Sequence, residues 1–370
     1  MSSTHPPSAE TGKAPQTTGR PTIRDVSRLA GVSRMTVSRV ISTPDLVTPA
    51  TREKVLRAID SLGYVPDRAA GSLSSRKTGF IALMLPTLTN ANFAAVAHGL
   101  TEVLRERDYH LLVAYTDYDT AEEERQMRAL LARRPEAIII TGSLQRRNAN
   151  RMLLAADIPV IEVANLPSQP LEHAIGFSNY EVGRTAARYL IAKGFTRIGA
   201  LAATPGEKVT DHRGEERVRG FEEELAASGL SRDYVLRFGE APVSFAHGSR
   251  AMAAMLERHP DIEAVFAVSD MSAVGAVMEC QRRGIDVPGQ VSVMGFGDFE
   301  IGREINPPLT TIHVDFRALG QRTGRTLLEI LAASEQERTQ QRIDTPIRGA
   351  HGISARRVAA RSSQVSLRII

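Results

Sequence analysis

Apolar residues recur at helical spacing between residues 22 and 62, in three groups separated by a glycine or a short polar stretch. This periodicity predicts three short helices that share one small core. Gly31 interrupts the first helix, Ser33 is a suitable N-cap for the second, and the third begins near Thr48 and Pro49 and ends at Gly63. The apolar positions that predict these helices are Val26, Leu29 and Ala30, then Val37, Val40 and Ile41, then Val55, Leu56, Ile59 and Leu62.

After Lys77 the pattern changes to short apolar runs that alternate with amphipathic stretches. The runs are FIALMLP (80–86), YHLLVAYT (109–116), AIIITG (137–142), PVIEVAN (159–165), RIGALAA (197–203), YVLRFGE (234–240), AVFAVSD (264–270) and VSVMGFG (291–297). Continuous apolar strands separated by helices predict parallel sheets that are covered on both faces. Such units fit either one barrel or two doubly wound sheets, and the pattern alone does not choose between them. The stretch LTTIHVD (309–315) would carry the chain back across a junction.

The composition is that of a globular protein: 370 residues, 42% hydrophobic and 24% charged. No run approaches the roughly 18 apolar residues that a membrane helix requires, and residues 1–20 form a polar tail, predicted to be disordered, without the apolar core of a signal peptide. We therefore expect a cytoplasmic protein. Cys280 is the single cysteine, which excludes an internal disulfide and a thiolate metal cluster within one chain.

Positive charge is concentrated at the start of the chain. Residues 1–78 contain 12 Lys and Arg against 6 Asp and Glu, whereas the remaining residues contain 34 against 36. A small basic module favours nucleic acid as its partner. With Val37, Val40 and Ile41 pointing inward, the second predicted helix presents Arg34, Met35, Ser38 and Arg39 on its outer face, where arginine can read guanine and methionine can contact a thymine methyl group.

Five separated motifs in this sequence resemble the LacI family of bacterial transcription regulators. They are TIRDVSRLAGVSRMTVSRVI, LGYVPDRAAGSLSSRKTGFIALMLP, GFSNYEVGR, SDMSAVGAV and VMGFGDFEIG. The resemblance runs from about residue 21 to 345, and within the family the sequence is similar to the gluconate-type repressors. It implies an α/β protein with an N-terminal three-helix helix-turn-helix domain and a hinge, then two doubly wound α/β lobes of the periplasmic-binding-protein type.

The resemblance also implies domain boundaries. The helix-turn-helix domain would span residues 21–66, the hinge helix 67–78, and the effector-binding and dimerisation domain 79–345, with a basic tail at 346–370. Within the large domain, one lobe would comprise residues 79–177 with 308–330. The other would comprise 178–307 with 331–345.

By the same resemblance, Arg34, Met35 and Arg39 occupy the positions that set operator specificity. The residues expected to hold phosphates are Thr22, Ser33, Thr36 and Ser38. Leu73, in the hinge, would be wedged between base pairs of the minor groove, a known means of kinking DNA. Asp67 stands where the family usually has asparagine.

The effector would bind between the lobes, beyond the carboxyl ends of the strands. The residues that match family ligand positions are Asn92, Phe93, Arg217, Asp270 and Asp298. Arg213 is added because it lies one helical turn before Arg217 on the same face. Gly297 stands where sugar-binding members usually carry an aspartate. Because a carboxylate is missing there and arginine can pair with an anion, we expect a sugar acid, such as gluconate or a ketogluconate, as the effector.

A two-fold pair of recognition helices implies a homodimer on a pseudo-palindromic operator, from which the effector is expected to release the protein. We expect no enzyme activity, cofactor or metal, because the histidines show no metal spacing and no nucleophile elbow or phosphate loop occurs. The alternatives are a solute-binding protein of the same core fold, or a regulator that responds to a neutral sugar or a purine. A solute-binding protein should carry a signal peptide and lack the basic helices.

Overall fold

The computed structural model describes residues 20–66, 78–142, 147–333 and 340–347. The chain divides into two compact units, residues 1–78 and 79–370, which are described separately below. The hinge residues Asp67 and Leu73 lie outside the described residues.

The first unit contains the three predicted helices: α1 (Ile23–Ala30), α2 (Arg34–Ser42) and α3 (Pro49–Leu62), with a 3₁₀ turn at Pro44–Leu46. Gly31 and Gly63 end α1 and α3 in the left-handed conformation, with φ of 62° and 60°, which glycine adopts without strain. The Ser33 hydroxyl accepts a hydrogen bond from the Thr36 backbone N–H at 3.1 Å, so the predicted N-cap of α2 is confirmed.

The core of this unit is built from small apolar side chains, namely Val26, Ala30, Val37, Val40, Val55 and Ala58. The expectation that Leu29, Leu56 and Ile41 also point inward is wrong, because these side chains are 54%, 47% and 38% exposed. Each of them is the sequence neighbour of a buried residue, and neighbours on a helix point about 100° apart. They therefore lie at the margin of the apolar face.

The second unit alternates strands and helices. Its strands are β1 (Phe80–Leu85), β2 (His110–Tyr115), β3 (Ala137–Thr141), β4 (Val160–Val163), β5 (His173–Gly176), β6 (Ile198–Ala202), β7 (Val235–Arg237), β8 (Ala264–Ala267), β9 (Ser292–Phe296), β10 (Thr310–Ile312) and β11 (Arg342–Asp344). Its helices are α4 (Ala91–Leu104), α5 (Thr120–Leu131), α6 (Arg147–Ala155), α7 (Asn179–Ala192), α8 (His212–Ala227), α9 (Phe245–Arg258), α10 (Asp270–Arg282), α11 (Glu300–Glu304) and α12 (Phe316–Ala332).

The strands form two parallel sheets, which settles the choice between a barrel and two doubly wound sheets in favour of the latter. The order is β11–β5–β4–β3–β1–β2 in the first sheet and β10–β9–β8–β6–β7 in the second. In the first sheet, for example, Leu83 of β1 lies opposite Val113 of β2 and Ile139 of β3. We call the two halves of this unit the first lobe and the second lobe, after their sheets.

The predicted division of the C-terminal segments between the lobes is wrong for two strands. β10 lies in the stretch 308–330, which was expected in the first lobe, yet it pairs with β9 of the second sheet. β11 lies in the stretch 331–345, which was expected in the second lobe, yet it pairs with β5 of the first. Short strands of this kind are assigned by their pairing partners, which a single sequence does not reveal.

Glycines allow three pairs of helices to meet backbone to backbone. A Cβ added at Gly183 of α7 would overlap the carbonyl of Arg217 in α8, and one added at Gly220 of α8 would overlap the carbonyl of Tyr180 in α7. The same reciprocal arrangement joins α4 to α12 and α9 to α10. The α7–α8 contact matters most for function because both helices begin at the cleft between the lobes.

We expect Gly183→Ala to lower the free energy of unfolding by about 1–3 kcal/mol, because the added methyl group forces α7 and α8 apart. Thr185→Ala, on the same helix, is the control and should change this free energy by less than about 0.5 kcal/mol. Urea denaturation followed by circular dichroism measures both. Equal stability of Gly183→Ala and the unsubstituted protein would contradict the close contact.

Candidate functional site

The outer face of α2 is exposed and basic, as the sequence predicts. Arg34, Met35, Ser38 and Arg39 are all exposed, and 65% of the Met35 surface is accessible. Within the described part of the chain, neither Arg34 nor Arg39 forms a salt bridge. Both guanidinium groups are therefore available to a partner.

Three of the four hydroxyl groups expected to hold phosphates lie at helix N-termini in this structure, whereas Ser38 lies in the interior of α2. Thr22 donates a 2.6 Å hydrogen bond from its hydroxyl to Asp25, and Ser33 and Thr36 share a contact of 2.9 Å between their hydroxyl oxygens. These bonds place the side chains at the N-termini of α1 and α2, where backbone N–H groups favour an anion. Their contact with phosphate stays a prediction, as does the role of Leu73.

In the second unit, the carboxyl ends of both sheets face a small cavity of about 30 Å³ between the lobes. Four of the six predicted effector residues line it: Asn92, Phe93, Arg213 and Arg217. Phe93 and Asn92 come from the start of α4 in the first lobe, while the two arginines lie one turn apart on α8. A cavity of this volume has room for about two water molecules or a group of similar size.

Arg217 is the most deeply buried cation of the cavity, with 7% of its surface exposed. Its Nη1 donates to Asn179 Oδ1 at 2.5 Å, its Nη2 lies 3.8 Å from Asp211 Oδ2, and its guanidinium carbon lies 4.7 Å from the centre of the Phe296 ring. Burial lowers the pKa of Arg217, although Asp211 opposes this shift. Its Nε has no hydrogen-bond partner among the described residues.

Arg213 sits at the junction of the lobes. Its Nη1 donates to the backbone carbonyl of Thr141, at the end of β3, at 2.6 Å. Its guanidinium carbon lies 5.2 Å from the ring centre of Phe93 and 5.9 Å from that of Tyr118, within the range of cation–π attraction. No carboxylate of the described residues pairs with Arg213.

Among the lining residues that sequence reasoning did not name are Tyr118, Asn179 and Asp211, which bring a phenol, an amide and a carboxylate to the cavity. Asp211 is 9% exposed, and its Oδ1 has no hydrogen-bond partner in the described part of the molecule. Tyr118 follows β2, and burial raises the pKa of its phenol. The rule that ligands lie beyond the carboxyl ends of strands applies to β2 as well and would have found Tyr118.

Two predicted effector residues do not line the cavity. Asp270 is fully buried and accepts hydrogen bonds from the Phe299 backbone N–H at 2.8 Å and the Thr311 hydroxyl at 2.6 Å. Asp298 is paired with Arg303 at 2.7 Å and with His313 at 2.8 Å. Both carboxylates hold the loop after β9 in place instead of facing a ligand.

A larger cavity of about 610 Å³ adjoins the small one. Tyr118, Asn179 and Arg213 line both cavities. The rest of its wall comes from the ends of β1 to β4 and from the first turns of α5, α7 and α8. The cleft is thus divided into two chambers by these three shared side chains.

The family comparisons cover both units. Residues 22–67 match the family model described as bacterial regulatory proteins, lacI family. Residues 78–350 match the model described as periplasmic binding proteins and sugar binding domain of LacI family. Among the described residues, no helix is long and apolar enough to span a membrane, and no group of three or more His, Cys, Asp or Glu is arranged to bind a metal.

Two relatives illustrate the similarity. The HTH-type transcriptional regulator GntR of Escherichia coli (strain K12) is 32% identical over 309 residues, which cover 84% of this chain and 91% of that protein. The HTH-type transcriptional repressor PurR of Photobacterium profundum is 30% identical over 324 residues, which cover 87% of this chain and 94% of that protein.

Solved structures show the same architecture. A LacI family transcriptional regulator from Silicibacter pomeroyi has a TM-score of 0.83 and 32% identity, with 90% of this chain and 99% of that chain covered. The complex of transcriptional regulator CelR with cellobiose has a TM-score of 0.65 and 30% identity, covering 91% and 100%. The lac repressor dimer bound to operator and the anti-inducer ONPF has a TM-score of 0.75 and 25% identity, covering 91% and 99%.

Burial raises the pKa of Asp270 to about 7, although the hydrogen bonds from Thr311 and Phe299 partly lower it. Between about pH 4 and pH 7 the Asp270 carboxyl is therefore protonated in the folded protein and ionised in the unfolded chain. Its contribution to the free energy of unfolding is lost as the pH rises through this range. Asp270→Asn should remove this pH-dependent contribution to stability. We expect the unfolding free energy of the unsubstituted protein, relative to the variant, to fall by up to about 4 kcal/mol over this range and to stay level above pH 8. Urea denaturation at several pH values tests this, and parallel pH profiles would contradict it.

Proposed function

This chain belongs to the LacI family of bacterial regulatory proteins, and we propose that it is a repressor that a sugar acid releases from its operator. As a member of that family it is a DNA-binding transcriptional regulator. Its relatives are transcriptional regulators, which supports a regulatory role over an enzymatic one. The proposed effector is gluconate, a ketogluconate or a similar acid.

The charge balance of the small cavity carries this proposal. Its lining contains two guanidinium groups, Arg213 and Arg217, against one carboxylate, Asp211. Asp211 lies beside Arg217, whereas Arg213 has no carboxylate partner among the described residues. In a partly buried site, an unpaired guanidinium favours an anionic ligand, and its planar fork matches a carboxylate.

The unpaired atoms of Arg217 and Asp211 call for a second ligand group. A hydroxyl can accept a hydrogen bond from Arg217 Nε or donate one to Asp211 Oδ1, so a ligand hydroxyl that reaches either buried atom would supply its missing partner. An unmade hydrogen bond on a buried polar group costs about 1–3 kcal/mol, so the ligand that supplies it is strongly preferred. A sugar acid carries both a carboxylate and hydroxyl groups.

Gly297 supports the same choice. Its φ of 126° is strained for any other residue, and an added Cβ would lie 2.6 Å from Asn92 Nδ2. The aspartate of sugar-binding relatives therefore has no room here, and no carboxylate at this position repels an acid. The resemblance of the sequence to the gluconate-type repressors agrees with this reasoning.

A neutral sugar is the second candidate, because the CelR structure of the same fold holds cellobiose. Asp211 can accept a hydrogen bond from a hydroxyl of a neutral sugar, and Arg217 can donate one to such a hydroxyl, so both residues would suit this ligand too. The unpaired Arg213 and the absence of a carboxylate at Gly297 distinguish the two classes, and both favour the acid.

For operator binding, we assign base contacts to Arg34, Met35 and Arg39. The residues assigned to phosphates are Thr22, Ser33, Thr36 and Ser38, and Leu73 is assigned to the minor groove. The protein would act in the cytoplasm as a homodimer on a pseudo-palindromic site, in line with the lac repressor dimer on its operator. Residues 21–66 would bind DNA, 67–78 form the hinge and 79–345 bind the effector and the partner subunit.

The lobes are joined beside the cavity, so an effector bound there can act on their arrangement. The Thr120 backbone N–H donates to the Lys208 carbonyl at 3.0 Å, and Asp119 and Val209 form an antiparallel bridge between the lobes. An effector changes operator affinity only if it binds one arrangement of the lobes better than the other. A change in the arrangement of the lobes would break these contacts or form new ones.

We expect Arg39→Ala to weaken operator binding by roughly 5- to 150-fold, the loss of one arginine contact to a base edge. Arg57→Ala is the control, because it removes one positive charge from α3 of the same unit. The operator is first located by footprinting the DNA upstream of the protein's own gene, and gel shifts then compare the variants. Unchanged affinity of Arg39→Ala would remove Arg39 from the recognition surface.

Gluconate or a ketogluconate should raise the melting temperature and release the operator, whereas neutral sugars such as lactose should do neither. Arg213→Gln should weaken binding of the acid at least tenfold, because it removes the unpaired cation. Arg188→Gln is the control, since Arg188 lines neither cavity, is exposed and pairs with Glu224 at 3.0 Å. A panel in which only neutral sugars stabilise the protein would reject the sugar acid.

A further inference from the structure

The larger cavity has no role in the function proposed so far. At about 610 Å³ it falls within the range of volumes that bind drug-sized ligands, whereas the small cavity admits one group the size of a carboxylate or hydroxyl. Because Tyr118, Asn179 and Arg213 line both cavities, a ligand bound to Arg213 lies at the border of the larger one. A six-carbon acid alone would leave much of this volume to water.

The two cavities have opposite charge balances. The small cavity has two guanidinium groups against one carboxylate. The carboxylates of the larger cavity are Asp119, Glu123, Glu215 and Glu216, and its guanidinium groups are Arg213 and Arg219. Glu215 and Glu216 are paired with Arg237 and Arg219, which leaves a smaller excess of negative charge in this cavity. An acid group is therefore attracted to the small cavity and disfavoured in the larger one, which fixes the direction in which a spanning ligand lies.

The neutral lining of the larger cavity suits a sugar ring. Thr116, Thr141, Ser178 and Thr210 bring hydroxyl groups. The hydroxyls of Thr141 and Thr210 already donate to backbone carbonyls, so they can accept hydrogen bonds from a sugar. Tyr118 and Tyr180 bring aromatic rings. Carboxylates accept hydrogen bonds from sugar hydroxyls without requiring a charge on the ligand.

We propose that the larger cavity is a subsite for a second, uncharged sugar unit, so that the effector is an acidic disaccharide. In such an aldobionate, the carboxylate of the aldonic acid end binds Arg213 at the small cavity, and the rest of the acid and the glycosyl unit occupy the larger cavity. This inference rests on the proposed function, since it takes the acid end at Arg213 as its starting point.

Isothermal titration of the full-length protein with single ligands tests the inference. The aldobionates are lactobionate, maltobionate and cellobionate, and they are compared with gluconate and with lactose, maltose and cellobiose. At least one aldobionate should bind at least tenfold more tightly than gluconate, and more tightly than its neutral disaccharide. Gluconate binding as tightly as every aldobionate would overturn the second subsite and leave the sugar-acid proposal standing. Binding of neutral disaccharides alone would overturn the sugar-acid proposal itself.

A substitution can test the larger cavity without altering the small one. Ser168 is exposed at the rim of the larger cavity and does not line the small one, so Ser168→Trp should obstruct the glycosyl subsite alone. We expect it to weaken the tightest aldobionate at least tenfold and to change gluconate affinity less than threefold. Ala226→Trp, exposed at the other end of α8, is the control and should leave both affinities unchanged. An equal effect of Ser168→Trp on both ligands, or none on the aldobionate, would contradict the subsite.

Discussion

The backbone contact between α7 and α8 at Gly183 and Gly220 determines the geometry of the ligand site. α7 leads from the first sheet to the second and begins at Asn179, while α8 follows β6 of the second sheet and carries Arg217. With no side chain between the helices, Asn179 Oδ1 comes within 2.5 Å of Arg217 Nη1. A bulkier residue at either glycine would separate the two helices and move the amide away from the guanidinium group.

The burial of Arg217 follows from this packing and has an energetic cost. Moving a guanidinium group out of water is unfavourable, and arginine remains charged, so its surroundings must stabilise the charge. Asn179, Asp211 and the Phe296 ring do so in part. Nε of Arg217 and Oδ1 of Asp211 remain without partners among the residues described, so a ligand group that reaches either atom would stabilise an arrangement that is already formed.

The sequence predicts the positions of the strands better than it predicts which strands pair with each other. Each of the eight apolar runs contains a strand, because continuous burial on both faces of a parallel sheet leaves a clear pattern. β5 was not predicted, and the lobe membership of β10 and β11 was predicted wrongly, because pairing of short strands depends on distant parts of the chain. In the site, Arg217 was found by resemblance and Arg213 by its position one helical turn earlier. Tyr118 was missed because the loop after β2 was not assigned to the cleft, and Asp211 because a single sequence does not show which residue before α8 faces the cavity. Asp270 and Asp298 were predicted as ligands, but their hydrogen bonds hold a loop.

Arg213 connects ligand binding to the arrangement of the lobes. It lies on α8 of the second lobe, yet its Nη1 donates to the carbonyl of Thr141 in the first. An acid that binds Arg213 therefore acts on a group that already joins the lobes. If the ligand reinforces that bond, it favours the closed arrangement, and if it displaces Nη1 from Thr141, it favours separation. Either effect gives the two arrangements different affinities for the ligand, and a difference of this kind is what a binding site needs in order to control a separate DNA-binding unit.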